Sequence, residues 1–543
     1  MSNRWPVLRG RVATARAALA RFRNLEREQS LRPALAFILG LLLRGWDSLR
    51  TVPGIRARSQ TLAAVAVTLA LAAVVLAELQ SSMAVSVVLP PLAERMRSVV
   101  GPGPNRQVRF PAQGPYDQRL GYSSLPGFIA ALGSRGWDVA LQARPSGLLR
   151  AWIDATGHAV YREKTVSGLT LLDRRGAPLY QARFPGRIFG DASEIPPLLT
   201  ATLLRIEDRH LLDQGRPRRN PAVDWPRFLL AIAGHVRQGS HAGAGGASTL
   251  ATQIEKFRHS PQGRTEDYAE KLRQMATASL RIYAGGGDTT EARRQLVATY
   301  LDSVPLSSRA GYGEVIGLGD GLWAWYGIDF DRARYALALP QEDPRQLAAL
   351  ADAYKHALSL LLAERRPTYY LVAHHAALET LTNRYLRLLA DQGVITPRLR
   401  DAALGVGLRF GADPPAAVDP PFAERKGVDA LRVELLQQLQ LPGLNSLDRL
   451  DLAAQSTIDD RAQRAVSSLL QGLADPAYAA SLGLVGPELL PAKRLDQVVY
   501  SVLVYERTAA GNELRVHADN LNQPFDVNSG AKLILGSTAK LRT

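Results

Sequence analysis

Helical periodicity dominates residues 195–410, with few strand-like runs, and predicts one mainly α domain there. At its start Pro196 and Pro197 open a helix on which Leu199, Leu203 and Ile206 form one apolar stripe, with Glu207 at the stripe's edge. In a second helix Leu250, Ile254 and Phe257 take one face, while Thr249, Gln253 and Lys256 take another. Ahead of this domain the chain alternates short apolar runs with Gly and Pro turns, which predicts a small α+β module over residues 108–190. Behind it Pro414-Pro415 and Pro420-Pro421 open a linker region, residues 413–495, with a helix expected over 461–473. A strand-like run over 498–505 then marks the start of a further α/β domain, residues 496–543. The longest uncharged apolar run lies near the front: residues 59–77, about 19 in all, suffice to cross a hydrocarbon core as a helix. Glu78 closes it, so a transmembrane helix is expected over 59–80.

Composition narrows the class. With 543 residues and 46% hydrophobic content, the chain supports roughly two to four folded units and excludes disorder as its main state. A formal net charge of +16 favours an anionic partner: nucleic acid, anionic lipid or a phosphate-bearing substrate. Much of that excess is local. Twelve arginines between Arg4 and Arg58 face only Glu26, Glu28 and Asp47. Basic residues before the apolar run and none immediately after it place residues 1–58 in the cytoplasm and the bulk of the chain outside. The basic preface is too long for a cleaved signal peptide, so the expectation is a retained single-pass anchor in the inner (cytoplasmic) membrane, with a periplasmic or extracytoplasmic body. Zero cysteines remove disulfide and thiolate chemistry. No dinucleotide fingerprint or Walker loop stands in the right context, and the histidines, His374-His375 included, lack partners at metal-ligand spacing.

Two stretches carry candidate chemistry. Glu207-Asp208-Arg209-His210 is either the solvated charged end of a helix or, at Glu207, a partly desolvated carboxylate able to take a proton from a sugar hydroxyl. The glycine-rich loop 243–247 leads into Ser248 and Thr249, which cap a helix start whose amides attract anions. A phosphate there would meet Thr249, Gln253 and Lys256; an ordinary amphipathic helix after a flexible turn has the same pattern. Arg258, Arg264, Lys271 and Arg273 follow as cations for a pyrophosphate, or as solvated surface.

In this order the two stretches resemble the family 51 glycosyltransferase domain of class A penicillin-binding proteins. Pro196-Pro197-Leu198-Leu199, Tyr300-Leu301-Asp302-Ser303-Val304, Trp325-Tyr326-Gly327 and Gly393-Val394-Ile395-Thr396 are similar to further elements of that domain. Ser456-Thr457-Ile458-Asp459 with Gln463 resembles the family's linker into a transpeptidase domain, and Gly536-Ser537-Thr538-Ala539-Lys540 its Ser-x-x-Lys element. The resemblance implies a mainly α lysozyme-like glycosyltransferase domain, residues 191–412, preceded by a transmembrane helix and the α+β module and followed by a truncated α/β transpeptidase start. It implies polymerisation of lipid II into glycan strands with inversion and release of lipid pyrophosphate. Glu207 is then the general base, and Asp208, Ser248, Thr249, Gln253, Lys256, Arg264, Lys271 and Gln274 contact substrate. A divalent cation, Mg2+, is the expected cofactor. Lipid II, the growing lipid-linked strand and cell-wall synthesis or division proteins are the expected partners, and nucleic acid is not.

Three features depart from the family pattern. Gln274 stands where a second Glu is expected, with Glu270 or Glu266 as substitutes; Leu211-Leu212 replace an aromatic pair; and Gly285-Gly286-Gly287 is extra. Ser537 with Lys540 matches the transpeptidase nucleophile and its lysine, but only three residues follow Lys540. Ser537 is therefore expected to be unactivated, and the tail from about Val498 loosely ordered. Two other readings of the Glu207 site stay open: a non-catalytic membrane-anchored scaffold with a degenerate site, and a glycan-cleaving lysozyme-like enzyme.

Overall fold

The computed structural model describes residues 81–225, 248–411, 421–489 and 491–530, with single residues between 66 and 79. Loop 243–247, Ser537, Lys540 and most of the expected span lie outside the described residues. Those that are described within the span, such as Val74 and Glu78, are helical. No helix among the described residues is long and apolar enough to cross a membrane.

The first complete helix, α1 (Met83–Arg95), starts at Ser82, whose φ of 53° kinks the chain. The Glu78 carboxylate accepts the free amides of that first turn, Ala84 N–H at 2.7 Å and Val85 N–H at 3.1 Å. Strand β1 (Ser98–Pro102) pairs antiparallel with β2 (Leu141–Pro145). Helix α2 (Gly147–Thr156) follows, capped by the Ser146 side chain. Leu149 of α2 and Ala93 of α1 are buried in one small cluster.

The alternating burial of β3 (Gly168–Leu172), with Leu169 and Leu171 inward, gives one apolar face. It pairs antiparallel with β4 (Pro178–Gln181) and parallel with β7 (Asp451–Gln455), Gly168 opposite Asp451 through Leu172 opposite Gln455. The segment read as an α+β module thus shares a sheet with chain that returns after the helical domain.

The helical body begins with α3 (Pro197–Ile206), whose Leu199 and Leu203 are buried as the stripe requires. It continues through α4 (Leu250–His259), α5 (Tyr268–Tyr283), α6 (Thr290–Ser303), α7 (Gly317–Tyr326) and α8 (Phe330–Leu337). A hairpin, β5 (Pro305–Arg309) with β6 (Gly313–Ile316), separates α6 from α7. Helix α9 (Leu347–Ala363) is buried almost all round, as a central core helix is, and α10 (His375–Asp391) and α11 (Pro397–Leu404) pack on it. The protein is mostly helical, and its largest core runs through these helices.

After residue 421, α12 (Phe422–Gln438) covers the inward face of β3, with Leu439 and Leu447 closing that second core. Helix α13 (Asp460–Gly472) packs on a hairpin of β8 (Ser501–Thr508) and β9 (Gly511–Asp519). The expectation of a loosely ordered tail is therefore corrected as far as Asp519. Val516 and Ala518 are buried with Leu470 and Leu473, and Lys426 of α12 pairs with buried Asp519 at 3.0 Å. One packed helix gives the hairpin an apolar face to bury, so its order does not wait on later sequence.

Candidate active site around Glu207

Glu207 ends α3: its amide still bonds to the Leu203 carbonyl at 2.9 Å, so the residue stays in register with the buried stripe. Its side chain is 13% exposed, which decides between the two sequence readings of this stretch in favour of a desolvated carboxylate. Gln253 Nε2 donates to Oε2 at 2.9 Å, and Arg365 Nη2 lies 3.5 Å from Oε1. Behind them Tyr300 Oη donates to Gln253 Oε1 at 3.3 Å. That bond fixes the amide's orientation, turning its NH2 group toward Glu207. Burial, together with the charges of Glu364 and Glu207, holds the Tyr300 hydroxyl far above its usual range, so it remains a donor.

Helix α4 brings Gln253 to this carboxylate and Lys256 to Glu364. Thr249 and Thr252 form a reciprocal cap, Thr252 N–H to Thr249 Oγ1 at 3.3 Å and Thr249 N–H to Thr252 Oγ1 at 3.0 Å. Above the cap Lys271 of α5 donates to Ser248 Oγ at 2.8 Å and to Thr252 Oγ1 at 3.3 Å. Burial, then the charge of Lys256, lowers Lys271 to about 8. Lys256 itself is 28% exposed, with Glu364 Oε1 3.9 Å from its Nζ. The helix is buried on nearly every side, so it is not the ordinary surface helix its sequence also allowed.

Ser248, Thr249, Gln253 and Lys256 thus lie at the cap and along α4, Lys271 bonds to the cap, Gln253 reaches Glu207, and Asp208 is buried. Arg264 is exposed and makes no side-chain hydrogen bond or ion pair among the described residues. Gln274 is 0% exposed, and its Nε2 donates to Ser260 Oγ and Thr265 Oγ1, both at 2.9 Å. Two inward-facing hydroxyls hold its amide within the packing of α5. Of its suggested substitutes, Glu266 is exposed and Glu270 is buried in another network. Burial alone would raise Glu270, but hydrogen bonds from His158, Ser260 and Arg273 outweigh it and hold the group at about 2.

The residues not anticipated are Tyr300, Glu364 and Arg365. The last two follow the apolar run of α9, and the abrupt Glu364-Arg365-Arg366 after seven buried residues, Ala357 to Ala363, is the signal that could have found them. The side chain of Glu364 is 8% exposed. Among the described residues no group of three His, Asp or Glu side chains is placed to hold a metal. Glu207 faces Arg365 at 3.5 Å, and Glu364 faces Lys256 at 3.9 Å. Among the described residues no donor set fits the expected divalent cation, and no step below passes through one.

A buried carboxylate oriented by an amide and faced by an arginine at 3.5 Å suits removal of a proton beside an anionic leaving group. No curated protein matches the chain. Residues 178–389, from β4 to within α10, match the family model described as Transglycosylase and do not reach the segment read as a transpeptidase start. Within these 543 residues the chain therefore carries a transglycosylase domain, a glycosyltransferase domain of the penicillin-binding-protein family that acts in peptidoglycan synthesis.

Proposed function

We propose that the chain polymerises lipid II, with Glu207 as the general base. The acceptor's sugar hydroxyl gives its proton to Glu207, and its oxygen bonds to the anomeric carbon of the donor sugar. The bond from that carbon to the pyrophosphate oxygen breaks, its electron pair leaves with the lipid pyrophosphate, and the configuration inverts. The observation that carries this reading is the Tyr300–Gln253–Glu207 chain, with Lys256 one turn beyond Gln253 on the same helix and 3.9 Å from Glu364. It supplies an aimed base and a neighbouring cation for the leaving group. Arg365 and Lys271 add donors for the same anion.

The scaffold reading drew its force from Gln274 together with the short transpeptidase segment; the Gln274 side chain bonds to Ser260 and Thr265 rather than to the Glu207 cluster. A cleaving enzyme has no use for the two lysines. In the same proposal the apolar run 59–77, with its arginine-rich preface, anchors the chain once in the cytoplasmic membrane, residues 1–58 inside and the catalytic body outside, where lipid-linked substrate is presented. The test is incubation of purified protein with labelled lipid II. Wild type should give polymer, and Glu207→Gln should lose about 100-fold or more of the rate. Equal behaviour of the two, with no polymer, sinks the assignment.

A further inference from the structure

The carboxylate of Glu364 has no assigned role, yet it is buried at the edge of the site with one loose ion pair. Lys256 Nζ sits 3.9 Å away, beyond hydrogen-bond length, and no hydrogen bond reaches the Glu364 carboxylate among the described residues. A buried charge so weakly held is costly, and a stronger ligand for Lys256 would have little to break. Every charged neighbour the site gives it is a participant: Lys256 from α4, Glu207 from the end of α3 and Arg365 from its own segment, with the neutral Tyr300 hydroxyl of α6 near it as well. Lys256 is the more exposed partner of the pair, so it is the one able to swing.

We propose that Glu364 is a positioning residue that holds Lys256 while the site is empty and gives it up to the pyrophosphate of the substrate, recapturing it as lipid pyrophosphate leaves. This rests on the polymerase reading for the identity of the anion. The two carboxylates, Glu207 and Glu364, then have separate duties: one takes the proton, the other competes with the leaving group for a cation and keeps product from binding too tightly. Burial raises Glu364, Lys256 opposes that, the negative charge of Glu207 adds to it, and Arg365 opposes it again, with the rise prevailing. A carboxyl that gains its proton as pH falls lets Lys256 go without a competitor.

The experiment is equilibrium binding of polyprenyl pyrophosphate to the full chain in detergent, across pH, for wild type, Glu364→Gln, Lys256→Met and the double variant, alongside turnover of lipid II. Glu364→Gln should bind the pyrophosphate about ten-fold more tightly than wild type, because it removes both a competitor and a like charge. Its excess affinity should shrink as pH falls and vanish in the Lys256→Met background, while its kcat drops through slow release of product. A damaged fold weakens binding, so tighter binding is not a structural artefact. Equal or weaker binding by Glu364→Gln overturns the proposal, as does a wild type that binds no pyrophosphate. Polymer formation by wild type with equal affinities sinks the exchange alone, whereas absence of polymer sinks the polymerase reading.

Discussion

Lys271 is the residue whose charge matters most near neutrality. Its ammonium is buried against Ser248 and Thr252, and burial with the nearby Lys256 brings it down to about 8 from an ordinary 10.5. It is cationic below that point and neutral above it, so whatever it gives an anion is lost as pH rises through about 8. Binding of polyprenyl pyrophosphate should therefore weaken several-fold between about pH 7 and 9, since a neutral amine forfeits a charge-assisted bond. Lys271→Met should bind weakly throughout and flatten that limb. A wild-type profile unchanged over the range, or a variant that keeps the limb, would detach Lys271 from the anion site. Neighbouring Gln274 is held differently on the same helix: both N–H groups of its amide are taken by Ser260 and Thr265.

At the scale of elements, α4 joins the site to a buried ionic cluster at its other end. His259 places Nδ1 2.9 Å from Asp117 and Nε2 against Glu163, which also takes Arg258 and, at 2.6 Å, Arg281. Burial by itself would lower His259, but Glu163 and its bonds to both carboxylates prevail and raise it to about 9. Because the folded value lies above the ordinary 6.5, its contribution to stability is complete below about 6.5 and is lost as pH rises through about 9. The gap in unfolding free energy between wild type and His259→Gln should narrow by roughly 3 kcal/mol between about pH 6 and 10. The difference between the two proteins is the quantity to follow, since Lys271 titrates in both. A gap independent of pH would show that the imidazole is neutral in the cluster.

Much of this was legible in the sequence where the signal is local. The stripe Leu199–Leu203 predicted α3 and the edge position of Glu207; the 461–473 periodicity is α13 within a residue at each end; and the apolar run 498–505 is β8 displaced by three residues. What was not legible depends on distant chain. Arg365 reaches Glu207 across 158 residues, and nothing in the spacing of either predicts that meeting. Gln274 stood at a motif position, but which way α5 faces is set by packing against α1 and α4 rather than by its own sequence. The parallel pairing of Gly168 with Asp451 is likewise a long-range choice, made by the shared need of Leu169, Leu171, Leu447 and Leu450 to be covered.

The whole molecule is tied together by a strap just ahead of the boundary that helical periodicity suggests. Gly186 N–H and Arg187 N–H bind the buried Asp320 carboxylate at 2.8 and 3.1 Å, and Phe189 N–H and Gly190 N–H bind buried Asp302 at 2.8 and 3.0 Å. Gly319 permits the approach: a Cβ there would lie 2.4 Å from the Arg187 carbonyl oxygen. Phe189 completes the arrangement, buried with its ring centroid 5.0 Å from that of Phe330. A fragment of residues 191–412 keeps both aspartates and loses all four amides and the phenyl ring. Removing the ring costs about 3 kcal/mol or more, since a buried phenyl leaves a cavity. Each carboxylate that loses its two amides adds about 1–3 kcal/mol, at the low end because burial has already raised Asp302 to about 6 and Asp320 in the same direction, so both can take a proton, and because Asp320 keeps its bond with Tyr312. Together these approach the roughly 5–15 kcal/mol that holds a domain folded. Residues 178–412, starting where the transglycosylase match starts, should unfold cooperatively, and 191–412 should melt at least about 10 °C lower or not fold at all. Equal melting temperatures for the two fragments would mean that the strap lies on a domain complete without it.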